Sequence, residues 1–168
     1  SDVQVIGNWI WNSQNGILFV DDAVISNILI NRNYFSENTT AIGESDGGDQ
    51  VFIDVIISNN YFADGSFGIY FNDLGDPNTN MTIAHNVFDY VGANTAITGA
   101  EIRDNIYTQP SFAIPTALNY VHHNLAAGPS TLPDGVDENY NSVDMSTIFV
   151  GTGSDDARWQ LLPGVSGT

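Results

Sequence analysis

A short pattern recurs six times along the chain, and such a repeat restricts the fold more than any other feature of the sequence. Six segments align without gaps, and each carries an asparagine at the same point. These residues are Asn8, Asn33, Asn60, Asn86, Asn105 and Asn124, with successive spacings of 25, 27, 26, 19 and 19 residues. A small residue and then isoleucine follow five of them, as Gly16-Ile17, Ala41-Ile42, Gly68-Ile69, Ala96-Ile97 and Ala113-Ile114.

Apolar and polar residues alternate in each unit over short runs, which indicates strands rather than helices. Strands this short do not form a stable sheet within one unit. We therefore expect the same strand of every unit to stack on its counterpart in a parallel sheet. Each unit would then form one coil of an all-β solenoid.

The recurring asparagine has a geometric explanation in such a solenoid. We expect it at a tight bend, where asparagine tolerates the left-handed backbone conformation. When coils stack at a strand spacing of about 4.8 Å, each side chain can donate to the amide oxygen of the next. The sequence therefore predicts an internal ladder of amides, which satisfies polar groups that would be costly to bury unpaired.

The repeat I-x-x-N-x-F, followed by G-I-x-F, resembles the pectate-lyase-like superfamily over about residues 2–126. The segment from Phe149 to Thr168 is similar to the end of such domains. The resemblance implies a right-handed single-stranded parallel β-helix of about six to seven coils with an internal Asn ladder. We expect one domain over residues 1–168, with regular coils at 2–126 and an irregular C-terminal coil or cap at 127–168. We also expect the chain to be a piece of a longer protein.

Alternation along the strands predicts which side chains face the core and which face outward. The predicted inward column is Ile10, Phe35, Phe62, Phe88, Tyr107 and Ala126. The predicted outward residues include Trp9, Tyr34 and Tyr61 on one sheet and Leu29, Ile56 and Tyr120 on the preceding sheet. An apolar outer stripe indicates an interface. Its occupant would be the chain's own loops, a protein partner or second copy lying alongside, or a sugar stacked on the aromatic rings.

The charge balance excludes some partners and suggests another. With 20 acidic and 3 basic residues, the net charge is −17, so we expect binding neither to nucleic acid nor to anionic membranes. No apolar run reaches the roughly 18 residues of a membrane span, so no insertion is expected. Three long loops collect carboxylates that would meet at one edge, at Asp21, Asp22, Glu44, Asp46, Asp49, Asp73 and Asp76. They are solvated turn residues or ligands for Ca²⁺, which takes six to eight oxygens.

Catalytic motifs are scarce. Lyases of the superfamily that the chain resembles typically use a basic residue as proton abstractor, with calcium neutralising the uronate. The arginines Arg32, Arg103 and Arg158 stand in no recognisable lyase motif, and we expect Arg32 and Arg103 to pair with neighbouring acids. His85, His122 and His123 precede ladder asparagines and could seed a metal or acid–base site.

The leading hypothesis is a non-catalytic extracellular or cell-surface module with a structural or adhesive role. It would self-associate end to end or side by side, because unpaired strand edges invite pairing, or it would contact a polysaccharide. No cofactor is required, although calcium would fit the acidic loops. The alternative is a polysaccharide lyase or glycoside hydrolase, or a fragment of one, acting on acidic polysaccharide.

Overall fold

The computed structural model describes residues 2–20, 24–45, 51–71, 79–89, 91–95, 99–108, 119–127 and 141–143. Every regular element among them is a β-strand, which confirms the predicted all-β class. The strands form three sheets. Within the described part of the chain, no helix is long and apolar enough to cross a membrane.

The first sheet has six strands: β1 (Val3–Ile6), β4 (Val24–Asn31), β7 (Val51–Ser58), β10 (Met81–Ala84), β13 (Ala100–Arg103) and β15 (Tyr120–His122). The second has seven: β2 (Trp9–Trp11), β5 (Tyr34–Ser36), β8 (Tyr61–Ala63), β11 (Val87–Asp89), β14 (Ile106–Tyr107), β16 (Leu125–Ala127) and β17 (Asn141–Val143). The third has four: β3 (Asn15–Phe19), β6 (Thr40–Glu44), β9 (Phe67–Phe71) and β12 (Gly92–Thr95).

Each strand of the six repeats pairs with the equivalent strand of a neighbouring repeat, β17 extends the second sheet by pairing with β16, and every pair is parallel. The register matches the repeat, since Trp9 lies opposite Tyr34 and Tyr34 lies opposite Tyr61. The predicted stacking of equivalent strands in parallel sheets is therefore confirmed.

The inward column forms the core of the second sheet. Successive rings of Phe35, Phe62, Phe88 and Tyr107 stack with centroid distances of 5.1, 4.9 and 4.8 Å. All four side chains are buried, Ile10 at the start of the row is partly buried, and the Ala126 side chain lies outside the described residues. Gly68 lies against this stack, and a Cβ added there would meet Phe88 Cδ1 at 2.8 Å. The ring stack explains why the repeat requires a small residue before its isoleucine.

The predicted amide ladder is present. From Asn8 to Asn105, each Nδ2 donates to the Oδ1 of the next asparagine at 3.0 to 3.1 Å, and its backbone N–H donates to the same oxygen at 2.9 to 3.0 Å. From Asn33 to Asn124, Nδ2 also donates to a carbonyl of the preceding repeat at 2.8 to 3.0 Å. The interior amides thus use both donors and accept two hydrogen bonds.

The bend lies one residue earlier than the sequence predicts. None of the ladder asparagines has a positive φ, whereas the residue directly before each one does, with φ between 55° and 69°, at Gly7, Arg32, Asn59, His85, Asp104 and His123. The expectation that the asparagine itself occupies the left-handed region was wrong. The chain turns at the preceding residue, and the asparagine is then free to direct its amide along the ladder. We name these six positions the bend row.

Candidate functional site

Trp9, Tyr34 and Tyr61 form a row on the outer face of the second sheet, as predicted. The Trp9 and Tyr34 rings meet edge to face, with centroids 5.8 Å apart, and Tyr34 stacks on Tyr61 at 5.2 Å with nearly parallel planes. Trp9 is 71% exposed, while the two tyrosines are partly buried. The row therefore runs across the strands, along the direction in which the repeats stack.

Tyr61 is held in place by a buried carboxylate that sequence reasoning missed. Its hydroxyl donates to Asp89 Oδ2 at 2.5 Å, and Thr108 Oγ1 donates to Asp89 Oδ1 at 3.1 Å. Asp89 lies opposite Ala63 and is only 1% exposed. The cross-strand register was the signal that could have placed it beside Tyr61, because both residues point to the same face. This network fixes the orientation of the Tyr61 ring, which is partly buried like Tyr34, and Trp9 is the most exposed ring of the row.

A surface groove of about 590 Å³ joins the rings of Trp9 and Tyr34 to the bend row. It is lined by Gly7, Asn8, Trp9, Arg32, Asn33, Tyr34 and Asn59. Asn8 is exposed and Asn33 is buried in the ladder, so Asn8 is the ladder amide that a ligand reaches most easily. The groove thus combines an open indole face with amide groups and a guanidinium.

Arg32 is exposed in this groove, and its Nε donates to Asn31 Oδ1 at 3.0 Å. None of the ion pairs found among the described residues involves Arg32, so the expectation that it pairs with an acid was wrong. The reason is its position, since its neighbours in the bend row are Gly7 and Asn59, which carry no charge. The guanidinium keeps donors that can reach a ligand.

Arg103 behaves as the sequence predicts. Its Nη1 donates to Asp104 Oδ2 at 2.7 Å, and its Nε lies 3.4 Å from Glu101 Oε1. The hydrogen bond to Asp104, with the nearby Glu101 carboxylate, raises the pKa of Arg103 above its ordinary value. A guanidinium held in its charged form cannot act as a general base.

The three histidines lie beside Arg103 and its acidic partners Glu101 and Asp104. His122 Nε2 lies 3.1 Å from Glu101 Oε1, and its Nδ1 lies 2.7 Å from His123 Nδ1. His85 Nε2 lies 3.2 Å from Arg103 Nη1. The structure therefore brings the three histidines into one polar network, joined through the Arg103 ion pairs.

The residues predicted on the first sheet do not form one continuous patch. Leu29 lies opposite Ile56, but two further strands, carrying Thr82 and Glu101, separate Ile56 from Tyr120. Ile56 is 43% exposed and Tyr120 is 67% exposed. The cross-strand order along this face is the one that the repeat alignment predicts, and Thr82 and Glu101 interrupt its apolar residues. The use of this face as an interface stays a prediction.

Of the predicted calcium ligands, only Glu44 can be placed. Asp21, Asp22, Asp46, Asp49, Asp73 and Asp76 lie outside the described residues. Glu44 is not a loop residue, as was expected, but the last residue of β6, paired with Phe19 and 8% exposed. Among the described residues, no group of three or more histidine or carboxylate side chains could hold a metal ion. Calcium binding stays a prediction.

Comparison with known proteins adds no family to this description. The chain matches no protein-family model, no curated protein and no solved structure.

Proposed function

We propose that the chain folds as a right-handed single-stranded parallel β-helix of about six to seven coils, of the pectate-lyase-like kind. Two observations support this proposal: three parallel sheets each take one strand from successive repeats, and one amide per repeat joins the ladder. Right-handed crossovers between parallel strands are also the strong general rule. An experimental structure in which the connections are left-handed would overturn the proposal.

We further propose that the protein is a non-catalytic extracellular or cell-surface module that binds carbohydrate in the groove beside Trp9. The observation that carries this proposal is the 71% exposed indole at the mouth of a groove of about 590 Å³. The apolar face of a sugar ring packs on a flat aromatic ring, while its hydroxyls need hydrogen-bond partners at the rim. Asn8, Asn59 and Arg32 supply such partners.

The direction of the aromatic row favours a linear polymer over a single sugar. Trp9, Tyr34 and Tyr61 lie on three successive strands, so the row extends along the stack in steps of about 5 Å. A polysaccharide lying along this axis would contact one ring after another and the bend row beside them. Several weak contacts on one chain add up to useful affinity without a deep pocket.

The binding test uses two single substitutions. Affinity electrophoresis and calorimetry with neutral and uronate polysaccharides would measure binding of the wild type, Trp9→Ala and Tyr120→Ala. Loss of a central aromatic contact usually costs more than about 1.4 kcal/mol, so Trp9→Ala should weaken binding by about tenfold or more. Tyr120 is a matched control, since it is 67% exposed and lies on another sheet.

Each outcome bears on the proposal. Weaker binding by Trp9→Ala and unchanged binding by Tyr120→Ala support the groove. Equal affinities of Trp9→Ala and the wild type would overturn it, as would a wild type that binds no polysaccharide of the panel. Circular dichroism of both variants controls for misfolding.

A lyase or glycoside hydrolase acting on acidic polysaccharide is the second candidate, favoured by the network of Glu101, Arg103 and His122. Imidazole and carboxylate groups in contact are a common acid–base arrangement. Formation of unsaturated products or reducing ends that is lost in His122→Ala and Glu101→Gln, but retained in Trp9→Ala, would support the enzyme. The raised pKa of Arg103 argues against that residue as the proton abstractor.

A further inference from the structure

Two adjacent histidines, at the point where β15 ends, direct one ring nitrogen each toward the other. His122 Nδ1 lies 2.7 Å from His123 Nδ1, and the two ring planes are nearly perpendicular, at 76°. The His122 side chain is 15% exposed, whereas His123 is exposed in the bend row. At this distance the space between the two nitrogens holds at most one hydrogen, so at least one nitrogen presents a bare lone pair. One positive group, a proton or a metal ion, fits between the rings.

Glu101 determines which nitrogen of His122 faces this position. Its Oε1 lies 3.1 Å from His122 Nε2. Because a carboxylate only accepts hydrogen bonds, Nε2 carries the hydrogen, and in the neutral ring the lone pair is on Nδ1. The Tyr120 ring packs against the imidazole with centroids 4.4 Å apart and limits its rotation. A carboxylate that accepts from the far nitrogen of a histidine is the usual arrangement that orients a metal ligand and raises its basicity.

We propose that His122 and His123 bind one divalent transition-metal ion, of the class of Zn²⁺ and Cu²⁺, through their Nδ1 atoms. Imidazole nitrogen suits these ions, whereas Ca²⁺ takes oxygen ligands. With metal–nitrogen bonds of about 2.0 to 2.1 Å, the two nitrogens lie about 2.9 Å apart at a right angle and about 3.3 Å apart at a tetrahedral angle. The exposed His123 ring reaches this range by moving about 0.2 to 0.6 Å.

The ion takes the place of the proton that the two rings share. In the neutral pair, His123 Nδ1–H donates to His122 Nδ1, and on metal binding this proton moves to His123 Nε2 by exchange with water. Both Nδ1 lone pairs are then ligands, and no proton is lost from the pair.

The surrounding charge favours a cation. Arg103 lies opposite His122 on the neighbouring strand. Its guanidinium is paired with both Glu101 and Asp104, so two carboxylates outnumber one positive group. Among the described residues, no group of three or more histidine or carboxylate side chains could hold a metal ion. Water therefore takes the remaining coordination positions, and the site is open to a further ligand.

Calorimetric titration of the full 168-residue chain with Zn²⁺, without a histidine tag and in millimolar Ca²⁺, tests the proposal. The calcium competes for sites made of oxygen ligands alone. His122→Ala and His123→Gly should each weaken Zn²⁺ binding by about tenfold or more, because each removes one of two ligands and even a lost outer partner costs about 10- to 100-fold. Glu101→Gln should weaken it by about tenfold for the latter reason. Glycine is chosen at position 123 because φ is 55° there and Gly7 holds the equivalent position.

His85→Gly is the matched control. His85 is also a bend-row histidine, with φ of 57°, but its Nε2 lies 3.2 Å from Arg103 Nη1 instead of facing another histidine. This variant should bind Zn²⁺ as the wild type does. Long-range ¹H–¹⁵N magnetic resonance spectra should show that Zn²⁺ shifts the Nδ1 signals of His122 and His123.

Three results would overturn the proposal: a wild type that binds no Zn²⁺, equal affinities of the wild type and His123→Gly, or Nδ1 signals of the pair that do not respond to Zn²⁺. Circular dichroism identifies misfolding, and His123→Gly carries the test if His122→Ala does not fold. The proposal goes beyond carbohydrate binding. Because none of these measurements uses a polysaccharide or an activity, they are independent of the test at Trp9.

Discussion

Removing one interior amide from the ladder is the sharpest test of how this fold is stabilised. Asn60 is 2% exposed. Its Nδ2 donates to Ile30 O and to Asn86 Oδ1, and its Oδ1 accepts from Asn33 N and from Asn33 Nδ2. The substitution Asn60→Ala removes all four hydrogen bonds while leaving the backbone of the repeat unchanged.

The magnitude follows from the groups left without partners. Asn86 Oδ1 keeps the bond from the Asn60 backbone N–H, but the Ile30 carbonyl and two Asn33 donors each lose one. A buried polar group left unsatisfied costs about 1 to 3 kcal/mol. With three such groups, we expect Asn60→Ala to reduce the free energy of unfolding by about 3 kcal/mol or more, a large part of the 5 to 15 kcal/mol typical of a domain.

Asn8→Ala is the control, because Asn8 is the exposed first member of the same ladder. It loses two side-chain hydrogen bonds, to Ile6 O and to Asn33 Oδ1, and water replaces them. The expected cost is below about 1.5 kcal/mol. Urea denaturation followed by far-ultraviolet circular dichroism measures both variants against the wild type. If the two substitutions cost the same within experimental error, the ladder is not what stabilises the interior repeats.

Three further predictions concern packing, charge and metal binding. Gly68→Ala should lower the free energy of unfolding by about 1 to 3 kcal/mol, because the added methyl meets the Phe88 ring at 2.8 Å, and an unchanged denaturation midpoint would contradict this. The melting temperature measured by calorimetry should rise between low salt and 1 M NaCl, because salt screens the repulsion within a chain of net charge −17. A melting temperature that stays constant or falls would refute this reasoning. Calcium titration should release or absorb heat in the wild type and less in Asp73→Asn, and the absence of both heat and a melting shift at millimolar Ca²⁺ would eliminate the metal prediction.

The stacking of the repeats could be predicted because its signal is local. The period-two alternation and the recurring asparagine lie within a few residues of each other, and together they indicate the parallel sheets, the inward Phe35 column and the amide ladder. The sequence did not show which residue of each repeat forms the bend. Its six occupants include glycine, arginine, histidine and aspartate, so no shared side-chain chemistry marks the position.

The candidate site could be predicted only in part, because alternation is a local signal and contacts across strands are not. Alternation correctly placed Trp9 and Tyr34 on the outer surface. Arg103 pairs with Asp104 and Glu101, which are close to it in sequence, so that pairing could be predicted. The lack of an acidic partner for Arg32 could not, because its neighbours Gly7 and Asn59 are 25 and 27 positions away and meet it only through the register. The contact between Tyr61 and Asp89 is likewise a cross-strand contact, and no pattern within either strand announces it.

The bend row places one residue of every repeat at a regular interval along the outer surface. One glycine and five polar side chains follow one another at intervals of about 4.8 Å, on a backbone conformation that glycine and polar residues both adopt here. Exchanging one of these residues changes the outer surface at a single position and leaves the packed interior as it is. If a linear polymer binds along this face, as proposed, each bend-row residue would set one of its contacts. Substitutions there would change the specificity one contact at a time without changing the fold.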